Sequence, residues 1–352
     1  KSAEDLEPTI KKLSKYKNIK YTLGEHRLED FRNRDFILKA AGVPLNSPYI
    51  DEAKRNNIPV EMDESLFTRL ASELNLDLKI IGITGTRGKT TTTYVIYEIL
   101  KLAYDDKVHL GGNIKGVATL PLIKKVKKGH IVVMELSSWQ LQGWGDCGIS
   151  PHVSVFTNLL PDHLNYYLKV CPSEIEATQE YFADKAKIFS NQKNGDYLIL
   201  NTDIKKEIGK RHKGEIKSKI LIPQKKQIEG WKLKVKGEHN KKNILQAIEV
   251  AKVLNVPMKT IKKAVENFSG VEGRMYFLKN YKGIKIYNDT TATTPDATIA
   301  ALKSLREEKN NKNIVLIMGG ADKGLEMGEL IKTVPKYCKK VILLAGTGTE
   351  KL

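Results

Sequence analysis

The segment Gly82-Ile-Thr-Gly-Thr-Arg-Gly-Lys-Thr-Thr-Thr-Thr93 limits the folds open to this chain more than any other. An apolar run, Leu78 to Ile83, leads into it and reads as a buried strand. Tyr94 to Leu100 follows with apolar residues at helical spacing. Strand, glycine loop, Lys-Thr and helix, in that order, place backbone N–H groups and a helix N-terminus where they face phosphate oxygens. In such a loop Lys89 reaches the β- and γ-phosphates and the Thr90 hydroxyl holds Mg²⁺, so the segment implies a site for ATP or GTP. The usual pattern begins with a glycine at the position of Ile83, whereas here Gly82 comes one residue early. A plain Gly/Thr-rich turn is the alternative, and the flanking strand and helix argue against it.

The 352 residues are enough for two or three domains, and a hydrophobic content of 41% supports real cores. No apolar run approaches the roughly 18 residues of a membrane span, and the start lacks a secretory pattern. Three scattered cysteines, Cys147, Cys171 and Cys338, fit a reducing cytoplasm and no metal-ligand spacing. The net charge of +18 raises nucleic acid as a partner. The lysines are spread, however, as at Lys11-Lys12, Lys124 to Lys128 and Lys225-Lys226, without an aromatic-interleaved RNA motif. No nucleic acid and no membrane are expected as partners, and the positive potential suits capture of an anionic nucleotide.

Three segments follow from the pattern of strands and turns. Residues 1–70 carry short elements, among them strands at Asp35 to Lys39 and Ile58 to Glu61. Residues 71–270 alternate strands and helices: His130 to Glu135, Val153 to Asn158 and Asp196 to Asn201 read as strands. This alternation predicts an α/β fold with a parallel sheet covered on both faces, and ligands beyond the carboxyl ends of its strands. Residues 271–352 repeat the theme, with strands at Ile284 to Asp289, Asn313 to Met318 and Lys340 to Ala345, and a helix from Asp296 to Leu305 that Pro295 opens. The chain opens at Lys1 and stops at Leu352 within an unfinished doubly wound pattern, so the expectation is of a piece truncated at both ends.

Glu135 ends a strand, and His163 lies beyond the next one. Each alone has an ordinary structural explanation. Beside a phosphate loop, a carboxylate suits Mg²⁺, which takes oxygen ligands alongside substrate phosphates. Ser137 and Gln140 are available to a substrate or form a polar helix start. Gly111-Gly-Asn113 is a tight turn presenting an amide. Gly237 to Asn243 precedes an expected helix from Ile244 to Leu254, and its asparagines either cap that helix or read a base edge.

Taken in order, Gly85 to Thr91, Gly111-Gly-Asn113, Glu135 to Gln140, Asp162-His163, Tyr181 to Lys187, His239-Asn240 with Asn243, Gly270 to Arg274, Asn288-Asp289 and Gly319 to Lys323 resemble the Mur ligase superfamily. These are ATP-dependent amide-bond-forming ligases of peptidoglycan precursor synthesis. Glu135-Leu-Ser-Ser-Trp-Gln140 and the Asn288 to Thr293 segment are most similar to the branch that adds D-glutamate to UDP-N-acetylmuramoyl-L-alanine.

The resemblance implies a three-domain architecture: a partial substrate-binding domain over 1–70, a central P-loop ATPase domain over 71–270 and a partial Rossmann-like ligase domain over 271–352. It implies a cytoplasmic monomer and an acyl-phosphate intermediate. It implies that Gly85, Thr86, Arg87, Gly88, Lys89, Thr90, Thr91, Asn243, Arg274 and Asp289 bind ATP, with Asn243 on adenine. Lys89, Glu135, His163 and Lys185 carry the chemistry. Thr90, Glu135, His163 and Lys185 serve two Mg²⁺ sites, Lys185 as a carbamate. Asn113, Ser137 and Gln140 touch the muramoyl substrate, and Lys323 pairs with a carboxylate of the incoming acid.

The chain departs from the family at Arg87, where Asn is usual, at Ala40-Ala-Gly42, where Ser-Pro-Gly is usual, and at Thr291, where a lysine is frequent. The stretch from His163 to Lys185 is longer than usual and suggests a loop insertion. A sibling ligase with another amino acid, a folylpolyglutamate synthetase-like enzyme and a non-catalytic nucleotide-binding remnant are the competing readings.

Overall fold

Alternate residues of a strand face opposite ways, and the central strands of this chain are apolar on both faces, so each face must be covered. The computed structural model describes residues 2–44, 46–306, 312–322 and 324–350. The first segment contributes α1 (Ala3–Leu13), β1 (Ile37–Leu38), α2 (Pro48–Arg55), β2 (Val60–Glu61) and α3 (Asp63–Glu73). β1 and β2 form a short parallel pair with Ile37 opposite Val60. α3 lays Phe67 and Ala71 into the core of the central sheet.

The central segment runs β3 (Lys79–Thr84), α4 (Lys89–Tyr104), β4 (Val108–Gly112), β5 (Ile131–Glu135), α5 (Ser138–Asp146), β6 (Val153–Phe156), α6 (Leu164–Tyr167), α7 (Glu174–Ser190), β7 (Tyr197–Leu200), α8 (Thr202–Arg211), β8 (Lys219–Leu221), α9 (Glu238–Val253) and α10 (Met258–Asn267). Its strands make one six-stranded sheet in the order β4-β5-β3-β6-β7-β8, and every pairing is parallel. Ile81, Ile83, Val133 and Val155 point to one face, where α4, α9 and α10 close the core with Ile96, Ile248 and Ile261. Ile80, Val132, Met134 and Phe156 point to the other, under Leu141 and Trp144 of α5 and Phe182 and Phe189 of α7. Each such side chain, fully buried, contributes about 1.5–3 kcal/mol. The strand order reverses around β3, so the loops after β3, β5 and β6 open at one edge, the place where such sheets bind ligands.

The third segment contains β9 (Tyr276–Tyr281), β10 (Ile284–Asn288), α11 (Pro295–Leu305), β11 (Ile314–Met318), α12 (Gly328–Tyr337), β12 (Cys338–Leu343) and α13 (Thr347–Glu350). β11 and β12 pair in parallel, as the sequence pattern predicts. β10 instead forms an antiparallel hairpin with β9, a strand the pattern did not reveal. Its two-residue turn, Lys282 and Gly283, has φ of 49° and 83°, the twist that suits a tight hairpin.

A second correction concerns α9. It starts at Glu238 and not at Ile244, with Gly237 at the N-cap and no side chain capping it. Asn240 and Asn243 therefore lie within the helix, buried, and do not cap it. The stretch between His163 and Lys185, expected to hold a loop insertion, folds as α6 and the start of α7, where Tyr167, Ala177 and Tyr181 form a small core of their own.

Candidate active site

The loop from Gly85 to Gly88 joins β3 to α4 and is held from below by the loop after β6. Asn158 accepts from the Arg87 N–H and donates to the Arg87 carbonyl, both at 2.9 Å, and its own carbonyl accepts from the Thr86 N–H at 2.9 Å. The Thr86 hydroxyl receives the Leu160 N–H at 2.9 Å and lies 3.1 Å from the Tyr181 hydroxyl. Gly88 has a φ of +82°, and a Cβ there would fall 2.5 Å from Asn243 Oδ1. Only glycine lets α9 pack this close to the loop. No side chain caps the start of α4. The N–H groups of Lys89, Thr90 and Thr91 in its first turn are thus disposed toward an anion.

Two lysines converge on this loop. Lys89 Nζ donates to the carbonyls of Gly85 and Thr86, both at 3.0 Å. Lys185, from α7, donates to the same Gly85 carbonyl at 3.0 Å and sits 4.6 Å from the centre of the Tyr181 ring. Burial, and then the charge of Lys89, push the Lys185 amine well below its ordinary value. Burial also lowers Lys89, with Glu135 opposing and Arg274 adding to the shift, so Arg274 lies within electrostatic reach of the loop.

Glu135 ends β5 with its Oε1 3.4 Å from Asn113 Nδ2. Its Oε2 is buried and has no hydrogen-bond partner among the described residues. An orphaned carboxylate oxygen beside a phosphate loop fits a hard dication. Among the described residues, no three His, Cys, Asp or Glu side chains form a ready cage. A cation here would therefore draw on hydroxyl and phosphate oxygens as well. His163 has a φ of +55° and packs against Trp139, with ring centres 4.8 Å apart. Desolvation lowers its imidazole; Asp162 opposes that shift, and Lys185, Lys89 and Arg87 add to it.

The remaining sequence candidates fall into two sets. Asp289 accepts the Met275 N–H at 2.9 Å, which ties the end of β10 to the stretch carrying Arg274. Burial raises the Asp289 carboxyl above its ordinary value. Ser137 and Gln140, by contrast, form a capping box at the start of α5, and Gln140 also donates to the buried Glu64 of α3. The structure therefore gives both a structural occupation. Lys323 lies outside the described residues.

Comparison with known proteins places the chain in a family. Residues 83–227 match the family model described as Mur ligase middle domain, and residues 273–351 the one described as Mur ligase, glutamate ligase domain. The UDP-N-acetylmuramoylalanine–D-glutamate ligase of Borreliella afzelii (strain PKo) is 34% identical over 100% of this chain and 77% of its own length. The chain belongs to the Mur ligase family.

The ligase of the same name from Roseiflexus sp. (strain RS-1) is 31% identical over 95% of this chain and 74% of its own, so the chain spans about three quarters of such relatives. Among solved structures, MurF ligase from Thermotoga maritima in complex with ADP aligns with a TM-score of 0.57 at 19% identity, covering 91% of this chain and 87% of that one. MurF from Acinetobacter baumannii aligns at 0.59 and 18%, covering 98% and 85%. These likenesses establish the Mur ligase fold. Among the described residues no helix is long and apolar enough to cross a membrane.

In this Mur ligase some residues that contact the sequence candidates escaped sequence reasoning. Glu64 is one: its carboxyl is raised to about 7 by burial. Asp296 and Thr294 are others, both bonded to Arg87. No local signal marks any of them, because each acts through a partner distant in sequence.

Proposed function

We propose that this Mur ligase joins D-glutamate to UDP-N-acetylmuramoyl-L-alanine at the expense of ATP, in cytoplasmic peptidoglycan precursor synthesis. The observation that carries the reading is the convergence of Lys89, Lys185 and the open oxygen of Glu135 on one phosphate loop. It occurs in a chain about one third identical to D-glutamate ligases over nearly its full length.

The alanyl carboxylate attacks the γ-phosphate, the bond to the β,γ-bridging oxygen breaks, and ADP leaves behind an acyl phosphate. The D-glutamate amine then attacks the acyl carbon, loses a proton, and expels phosphate. Lys89 and the α4 N–H groups hold the β- and γ-phosphates in line. Arg274 and Asp289 reach the nucleotide from the third segment, and Asn243 meets the adenine. Asn113 lies beside the muramoyl substrate, with Ser137 and Gln140 shaping its wall. Lys323 pairs with a carboxylate of D-glutamate. Thr90, Glu135, His163 and a carbamylated Lys185 would hold Mg²⁺ at two sites, where it would neutralise charge on the phosphoryl oxygens. A lysine amine kept neutral by burial is the form that captures CO₂. The protein acts as a monomer.

ADP release, measured with ATP, Mg²⁺ and UDP-N-acetylmuramoyl-L-alanine and one amino acid at a time, tests this. Turnover with D-glutamate alone is expected. Turnover with a different amino acid would move the chain to a sibling activity, and none with any would overturn the reading.

A further inference from the structure

Arg87 occupies a position that the phosphate loop does not require to be charged, yet its guanidinium is fully engaged. Nη1 donates to Asp162 at 2.6 Å, on the loop after β6. Nε donates to Asp296 at 3.3 Å and Nη2 to Thr294 at 3.1 Å, both at the start of α11 in the third segment. One side chain thus bridges carboxylates on two different units of the fold, from within the loop that takes the triphosphate. The Asp162 side is the more sheltered, with 24% of its side chain exposed against 53% for Asp296. The Asp162 contact is also the shorter of the two, 2.6 Å against 3.3 Å. At its other end α11 approaches α9: a Cβ on Gly237 would meet Ser304 Oγ at 2.4 Å. α11 therefore runs from the phosphate loop toward the start of the helix that carries Asn243. Arg274 lies on the stretch that leads into β9, in the same unit as α11.

We propose that Arg87 is a positioning residue that clamps the third unit onto the phosphate loop through Asp296 and Thr294, coupling the state of that loop to the unit that presents the amino acid. An arginine suits this role because its planar fork serves two carboxylates at once, which a shorter amide cannot. For its kinetic consequence the inference rests on the ligase reading above; its conformational consequence stands without it.

A double-mutant cycle tests the clamp. Asp296→Asn leaves the phosphate loop unchanged and alters a half-exposed side chain, so folding is not at risk. Asp296→Asn is expected to lengthen the distance between fluorescent labels on α8 and α12 in the nucleotide-free protein. It is also expected to raise KM for D-glutamate about threefold, the scale of a partly exposed ion pair, with kcat within a factor of about two. Arg87→Asn should lengthen the same distance, and the double variant should lengthen it no further than the larger single change. Asp296→Glu, which keeps the charge, should restore the wild-type distance. Distances unchanged in both single variants, or fully additive changes in the double variant, would overturn the clamp. If the wild type fails to use D-glutamate, the functional reading falls and the label distances still decide this proposal.

Discussion

The Nζ atoms of Lys89 and Lys185 each lie 3.0 Å from the same carbonyl oxygen, that of Gly85. Two full positive charges cannot share one neutral acceptor in a buried site without cost, and the lowered Lys185 amine is the relief. Burial and the neighbouring Lys89 charge thereby favour the neutral, nucleophilic form of Lys185. Lys185→Arg keeps the bulk but stays charged at every accessible pH. Turnover is expected to fall at least about a hundredfold, the scale of losing a positioned catalytic group. Steady-state ADP release would check it, and near-normal activity would rule out the carbamate role.

Glu135 presents a buried oxygen that has no hydrogen-bond partner among the described residues. Glu135→Gln keeps the shape and the neighbour Asn113 but removes the charge a dication needs. The half-saturating Mg²⁺ concentration is expected to rise about tenfold or more, with the melting temperature unchanged or higher because a buried charge has gone. Mg²⁺ titration of ADP release reads the first quantity and calorimetry the second. An unchanged Mg²⁺ requirement would remove Glu135 from the metal site.

Gly88 sits where both its backbone and its surroundings exclude a side chain. At a φ of +82° an L-residue is strained by about 1–2 kcal/mol. The added methyl of Gly88→Ala also presses on Asn243 Oδ1, 2.5 Å away. ADP binding should weaken at least about tenfold, measured by isothermal titration. Adding Asn243→Ala removes the clash but not the strain, so the double variant should recover thermal stability only in part. Full recovery would show that the left-handed backbone contributes nothing.

These sites differ in how far the chain alone exposes them. The strand, glycine loop and Lys89-Thr90 were legible because the signals are local and apolar runs bound them. The parallel sheet was legible because its strands are apolar on both faces. α9 was misplaced at its start, since Glu238 to Asn243 is polar and lacks the apolar period that marks a helix, even though Asn240 and Asn243 are buried. β9 went unseen because most of its residues are exposed and it has no clean alternation. Arg87 was visible as an unusual residue, but its partners Asp162 and Asp296 lie 75 and 209 positions away. Only the folded chain brings those charges together.

Glu64 offers a test that needs no substrate. It is buried on α3, accepts from Gln140, and has its carboxyl raised from 4.5 to about 7, mainly by burial and further by Asp63. Unfolded, it would titrate near its ordinary value. Between about pH 4.5 and pH 7 the folded protein thus holds a proton that the unfolded chain has lost. Stability from this group is full below that window and is lost as pH rises through it. At about 1.4 kcal/mol per pH unit the loss reaches up to about 3 kcal/mol above pH 7. Glu64→Gln cannot ionise and still offers an oxygen to Gln140. It should therefore match the wild type at pH 4 and exceed it in urea unfolding at pH 8, by roughly 1–3 kcal/mol. A variant no more stable than the wild type at pH 8 would mean that Glu64 is solvated or paired in the folded protein, and that the wall behind Gln140 is not the dry one seen here.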